Sequence, residues 1–542
     1  MKKLNSLKKH AIWSLTVFTT LIFCLCGNVS GQYAENGVFN ILSYGAKGDG
    51  VTINTQPIQK AIDVCSENGG EVQFPPGIYL SGTIFMKSNV TLRLMRGATL
   101  LGSPRLSDYP VTEPAIKSYT DNYVCRSLIY GENLQNIGIT GFGTIDGNGH
   151  GPEFQEAGYK ERTRPYLIRL INCHDVSVTD IYLTRSPMWL QHYLACENVR
   201  MRGVRVFNHG NRNNDSLDID GCSDFIVSDC VFDSDDDGIT FKSTSPYITE
   251  NVTVTNCIVG SHCNAIKMGT ESTGGFRNIT ISNCVVRQSK DKDVVYGRAE
   301  GLAGLALEIV DGGIMDQIVI TGISIENFGT PLFIRLGNRA RKHTASAPEP
   351  EVGMVLNVSI SNITARAAGP VSSSITGIPG HPVENVILDN IRFISPGGGT
   401  KEDVTREVPE VETQYPESKM FGGPLPSSGL YVRHAKHVSL DGIRLISEHN
   451  DVRSAIVAED VTELSIDGLE ADAPDSDEPV VRLIDTAHVL LSACKALEGT
   501  NSFLAVEGAA SKNITLSGCD LSRAKKSFTT GNGVPSGTVT AR

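Results

Sequence analysis

Short segments of the form Asn or Asp, apolar, any residue, apolar recur along this chain, and their spacing restricts the fold more than any other feature. They read DVSV from Asp175, NVRM from Asn198, DFIV from Asp224, NVTV from Asn251 and NITI from Asn278, one every 23 to 27 residues. The pattern returns at Asn357, Asn385, His437, Glu463, His488 and Asn513. Within each segment apolar residues alternate with period two, and Val, Ile and Thr predominate, as in a strand with one buried face. A helical repeat of similar length would instead place them at i, i+3, i+4 and i+7. The expected fold is therefore all-β: a single-domain right-handed parallel β-helix whose coils each rise by about 4.8 Å.

A solenoid needs a seal over its first coil. The stretch NTQPIQKAIDVCSENGG puts Ile58, Ala61, Ile62 and Cys65 on one helical face, with Asn54 and Thr55 as capping residues before it and Gly69 and Gly70 after it. It reads as an N-terminal capping helix. Cys230, Cys257, Cys284, Cys494 and Cys519 each lie six residues after the start of their repeat, so they are expected to stack inside as buried thiols. Asn-x-Ser/Thr matches such as Asn251 and Asn278 fall on the repeat and read as turn ladders, not glycosylation sites. Residues 396–428, rich in Pro and charge, break the rhythm; they form either a long loop beside a groove or a disordered insertion.

The basic start MKKLNSLKKH, the apolar run after it, and small Val29 and Gly31 predict a signal peptide over 1–31 cut before Gln32, with a lipid anchor at Cys26 a poorer fit. The predicted layout is then cap and first coil at 32–80, a core with a catalytic groove at 81–395, the loop at 396–428, C-terminal coils at 429–530 and a tail at 531–542. The mature protein would be secreted or periplasmic, a monomer, with no membrane span after signal cleavage. The formal net charge of −12 argues against general binding to nucleic acid, and no Gly-rich phosphate loop or zinc-ligand spacing asks for a cofactor.

The stretch FDSDDDGITF holds Asp235, Asp236 and Asp237 in a row inside strand-like sequence. Aligning LDI at Leu217, ITF at Ile239 and IKM at Ile266 points Asp218, Thr240 and Lys267 out of the coil. Two positions before each first apolar residue stand Asp215, Asp237 and Asn264, so the coil register brings Asp215 beside the Asp236/Asp237 pair. Clustered carboxylates suit a hydrolase in which one protonates a leaving oxygen and another activates water. They also suit a Ca²⁺-dependent lyase.

Through NRNNDSLDI, SDDDGITFKS, FNILSYGAKGDGVTINTQPIQKAI, GFGTIDGNG and SPMWLQHYLACENVRMRGVRV, the chain resembles glycoside hydrolase family 28, the polygalacturonases, most strongly over residues 38–340. The resemblance implies an exported inverting hydrolase of pectin-type polysaccharide, with galacturonosyl linkages first. It places the family's Asn-x-Asp on Asn213 and Asp215 and its acidic pair on Asp236 and Asp237, with one of the pair as general acid. Two departures stand out. The family's Gly-His-Gly falls on Cys263, Asn264 and Ala265, leaving Asn264, or His262 two residues early, in place of the usual His. The Arg-Ile-Lys that would hold a uronate carboxylate falls on Ala306, Leu307 and Glu308, and an acid there repels it. Lys267 and Arg335 are the candidate replacements, and Trp189 is either a sugar-stacking platform or a packing residue. A metal-dependent lyase and a catalytically silent carbohydrate-binding β-helix are the alternatives.

Overall fold

The computed structural model describes residues 37–155 and 164–542, so the expected signal segment lies outside the described residues. Its strands pair in parallel, each with the equivalent strand of the next coil, as a right-handed parallel β-helix. The repeat seen in the sequence is the register of one face. Val176, Val199, Phe225, Val252, Ile279 and Ile318 stand directly above one another. The same column continues through Val358, Val386, Val438, Leu464, Val489 and Ile514. All are buried, and each such side chain contributes about 1.5–3 kcal/mol of burial.

The first residue of each repeat has a physical reason for its identity. Asp175, Asn198, Asp224, Asn251, Asn278, Asn357 and Asn385 all take φ between 52° and 56°, the left-handed region that Asn and Asp tolerate best. Their side chains also bond from coil to coil, Asn278 Nδ2 donating to Asn251 Oδ1 at 2.8 Å and Asn385 Nδ2 to Asn357 Oδ1 at 3.1 Å. These are the expected turn ladders.

Helix α1, Thr55–Ser66, seals the first coil with Ile58, Ala61, Ile62 and Cys65 fully buried. Asn54 does not cap it. Its amide instead clasps the Lys47 backbone, accepting from N at 2.7 Å and donating to O at 3.0 Å, while Thr55 Oγ1 accepts from Gly82 N at 2.8 Å. The cysteine row is present as free thiols, Cys230, Cys257, Cys284 and Cys494 buried and Cys519 partly so. Each Sγ donates to the carbonyl two residues before it, as Cys257 does to Thr255 at 3.3 Å and Cys284 to Ser282 at 3.2 Å.

Residues 396–428 are ordered across the outside of the helix. Val408, Phe421 and Leu425 pack with Ala303, Ala306, Phe333 and Tyr431 in a satellite apolar cluster. Residues 531–542, expected as a tail, supply the strand Val539–Ala541, which pairs with Lys512–Ser517 and completes the last coil.

Candidate active site

Five successive strands form the wall that carries the site: β1 Leu217–Asp220, β2 Ile239–Ser243, β3 Asn264–Ser272, β4 Ala303–Ile309 and β5 Thr330–Leu336. Leu217, Ile239, Ile266, Leu305 and Leu332 align inward, so Asp218, Thr240, Lys267, Ala306 and Phe333 align outward. One turn earlier, Ser216 N donates to Asp237 O and Gly238 N to Asn264 O, which sets Asp215, Asp237 and Asn264 at one level on three coils. The register therefore brings the three aspartates together, and Asn264 rather than His262 stands level with Asp237.

Each carboxylate is held differently. Asp215 Oδ2 lies 3.2 Å from Lys242 Nζ, which also approaches Asp218 Oδ1 and Glu271 Oε2, both at 3.4 Å. Asp237 Oδ1 accepts from Asn264 N at 3.1 Å and Nδ2 at 2.8 Å, and its Oδ2 pairs with Lys267 Nζ at 3.0 Å. Asp236 has no ion-pair partner among the described residues. Its Oδ1 accepts from Asp237 N at 2.9 Å and its own N–H is held by Asn214 Oδ1 at 3.1 Å. Burial, then the charges of Asp215 and Asp237, push its carboxyl well above the usual range. Burial also raises Asp215, against the pull of Lys242. Asp218, fully buried with both oxygens free of hydrogen bonds, is raised well above its usual value by burial and by Asp215.

Asp215, Asp236 and Asp237 open into a cavity of about 410 Å³, to which Asn213, Trp189 and Lys242 also contribute. A larger hollow of about 710 Å³, between Phe276, Pro350 and Met354, lies away from these carboxylates. The smaller one is the candidate site because the carboxylates meet there. Glu271 of β3 also lines it, and the rest comes from outside the wall strands: Tyr119 and Tyr123, Met188, Tyr296, Arg341, and Tyr415 from the 396–428 segment. Arg341 bonds Glu271 at 2.6 Å and lies 3.5 Å from the centre of the Tyr119 ring.

Several expected binding residues are used otherwise. Lys267 is 2% exposed, its ammonium shared between Asp237 and the Tyr415 hydroxyl at 3.1 Å. Glu308 does not line the cavity; it is fully buried 3.9 Å from Lys267, neither oxygen hydrogen-bonded, and burial pushes it up to about 8. Arg335 faces outward as alternation requires, but the 396–428 segment covers it, and its guanidinium donates to the carbonyls of Gly377 at 3.0 Å and Glu410 at 2.7 Å. It clamps a loop and does not reach the cavity. His262 is buried behind the wall on Asp235, 2.8 Å away. Trp189 lines the cavity with Lys242 Nζ 4.2 Å from its ring centre, so one stacking face is taken.

Lys242 was missed, although it stands two residues after Thr240 on the same outward face. Glu271 follows from β3 by the same reasoning, whereas Arg341 and the tyrosines sit on aperiodic loops that give no register.

The sequence model of glycosyl hydrolases family 28 matches residues 78–414, more than half of the chain. The chain belongs to this family. Among curated relatives, a probable polygalacturonase of Vitis vinifera is 36% identical over 217 residues, 38% of this chain and 44% of that protein. An exo-poly-alpha-D-galacturonosidase of Dickeya chrysanthemi is 29% identical over 295 residues, 44% of this chain and 48% of that protein. The chain thus spans about half the length of the curated relatives it matches. The family 28 exopolygalacturonase of Yersinia enterocolitica shares the fold with TM-score 0.60 at 19% identity, covering 79% of this chain and 78% of that one.

Proposed function

We propose that this family 28 chain hydrolyses galacturonosyl linkages in pectin-type polysaccharide with inversion, Asp236 acting as general acid. The observation that carries the assignment is the unequal pairing of the three carboxylates. Lys242 stands against Asp215 and Lys267 against Asp237, while Asp236 has no ion-pair partner among the described residues, and burial with the charges of Asp215 and Asp237 raises its carboxyl well above the usual range, which suits it to hold a proton. Asp236 then protonates the leaving oxygen as Asp215 and Asp237 orient and deprotonate the attacking water. Lys242 and Arg341, the cations that line the cavity, receive the uronate carboxylate in place of the absent Arg-Lys pair. The basic and apolar N-terminus supports action outside the cytoplasm, and no helix of the described residues is long and apolar enough to cross a membrane. We expect a monomer in solution.

The test is reducing-end release from polygalacturonate, oligogalacturonides and a neutral-sugar panel, by the unaltered protein and by Asp236→Asn. Release from galacturonides that the variant lacks, with the product's initial anomer opposite to the substrate's, supports the reading. An unsaturated product absorbing in the ultraviolet makes the chain a lyase, and binding without release makes it a carbohydrate-binding module.

A further inference from the structure

Behind the cavity wall, one place in three consecutive coils supplies two histidines and a carboxylate. Asn208, Ser234 and Ser261 stand in register, and the residues that follow them are His209, Asp235 and His262. His262 Nδ1 lies 2.8 Å and His209 Nδ1 3.2 Å from the same oxygen, Asp235 Oδ1. The three ligand atoms lie within 4.8 Å of one another, with His262 and Asp235 fully buried and His209 5% exposed.

The outer contacts fix which atoms are available. Asp235 Oδ2 is committed to Gly210 N at 2.7 Å, leaving Oδ1 turned to the histidines. His209 Nε2 lies 3.2 Å from Asp233 Oδ1 and 3.4 Å from Ser289 Oγ, and His262 Nε2 lies 3.4 Å from the Asp291 carbonyl. Each ring thus has an acceptor for an Nε2 proton, which turns Nδ1 toward the shared point. A carboxylate or carbonyl on the far nitrogen is the usual support of a metal-bound histidine. His209 Nδ1, despite its burial, makes no hydrogen bond, and Asp235 Oδ1 stands 3.2 Å from it. Two ligands that aim at a common ion and not at each other have this geometry.

We propose that His209 Nδ1, Asp235 Oδ1 and His262 Nδ1 bind a divalent transition ion of the Zn²⁺ type, with the fourth position left to a water molecule. Atoms bound at 2.0–2.1 Å to a tetrahedral ion are about 3.3 Å apart, close to the 2.8 and 3.2 Å that separate the two Nδ1 atoms from Asp235 Oδ1. The His262 to Asp235 hydrogen bond gives way to the ion, and any proton on either Nδ1 is released to solvent. The ion would be structural. It would tie three coils together one residue away from Asp236, without touching substrate.

The full-length protein, stripped with chelator and desalted, is equilibrated with Zn²⁺ or Co²⁺ alone. The expected result is about one ion retained per chain, a visible Co²⁺ absorption of four-coordinate nitrogen and oxygen ligation, and an unfolding temperature that rises with the ion. Asp235→Asn and His262→Gln should lose all three. Failure to retain either ion with an unchanged unfolding temperature overturns the proposal and leaves a cluster joined by protons alone. Undiminished binding by both variants overturns it as well. Should the variants not fold, the Co²⁺ spectrum of the unaltered protein still decides, and none of these readouts requires hydrolysis.

Discussion

Replacing Glu308 with glutamine should make the protein more stable, and by an amount that depends on pH. Glu308 is fully buried, its oxygens accept no hydrogen bond, and the cation beside it, Lys267 at 3.9 Å, is already bonded to Asp237. Burial pushes the carboxyl from 4.5 to about 8. A carboxyl raised in this way is favourable to the fold only while protonated. Below pH 4.5 both states hold the proton and the residue is neutral in its effect. From there to about pH 8 the unfolded chain releases a proton that the folded chain keeps, so stability falls by about 1.4 kcal/mol per pH unit. Above pH 8 the loss is complete, at most about 5 kcal/mol. The amide of Glu308→Gln keeps the shape without the titration. Urea unfolding midpoints of both proteins at pH 5, 7 and 9 should nearly coincide at pH 5 and separate progressively, the variant higher. A gap that stays constant across this range would refute the reasoning, because then Glu308 is solvated or paired in the folded state.

Asp236→Asn should lower kcat by about 10²–10⁴-fold, the usual worth of a general acid, with little change in KM. Arg341→Gln should raise KM for oligogalacturonides by about 10- to 100-fold, the loss of one charge-assisted hydrogen bond, and leave methyl-esterified oligomers unaffected; steady-state kinetics on the two substrates separates the effects. Glu463 takes φ 61° at the head of its repeat, where most coils use Asn or Asp. Glu463→Asn should therefore stabilise by about 0.5–1 kcal/mol in thermal unfolding, since the exposed His437 pair it gives up is worth little.

What the sequence made legible was whatever the coil repeats. The inward column from Val176 to Ile514 and the meeting of Asp215 with Asp236 and Asp237 both follow from counting register, because in a β-helix separations of 22 or 27 residues become a single strand spacing. Alternation was also right about Arg335, which does point outward. It could not show that a loop some 75 residues later lies across that face and takes the guanidinium with Glu410. Likewise the position of Glu308 was correct and its environment was not, because exposure on a solenoid face depends on which aperiodic segment covers it. Arg341 and Tyr415 had no repeat to be aligned against. Asn54 had the composition of a helix cap, but the backbone of Lys47 offered it both a donor and an acceptor.

Tyr415 bonds Lys267 across 148 residues of sequence, and this span imposes an order on how the protein becomes functional during synthesis. A chain grown to residue 395 already contains all three aspartates of the candidate site and the strands that align them. It still exposes Ala303, Ala306 and Phe333, which Val408, Phe421 and Leu425 later cover. Lys267 likewise awaits the phenol that fixes its ammonium. Truncation before that point would leave aspartates in register beside an open, adhesive flank, so the finished site arrives with the crossing segment and not with the aspartates themselves.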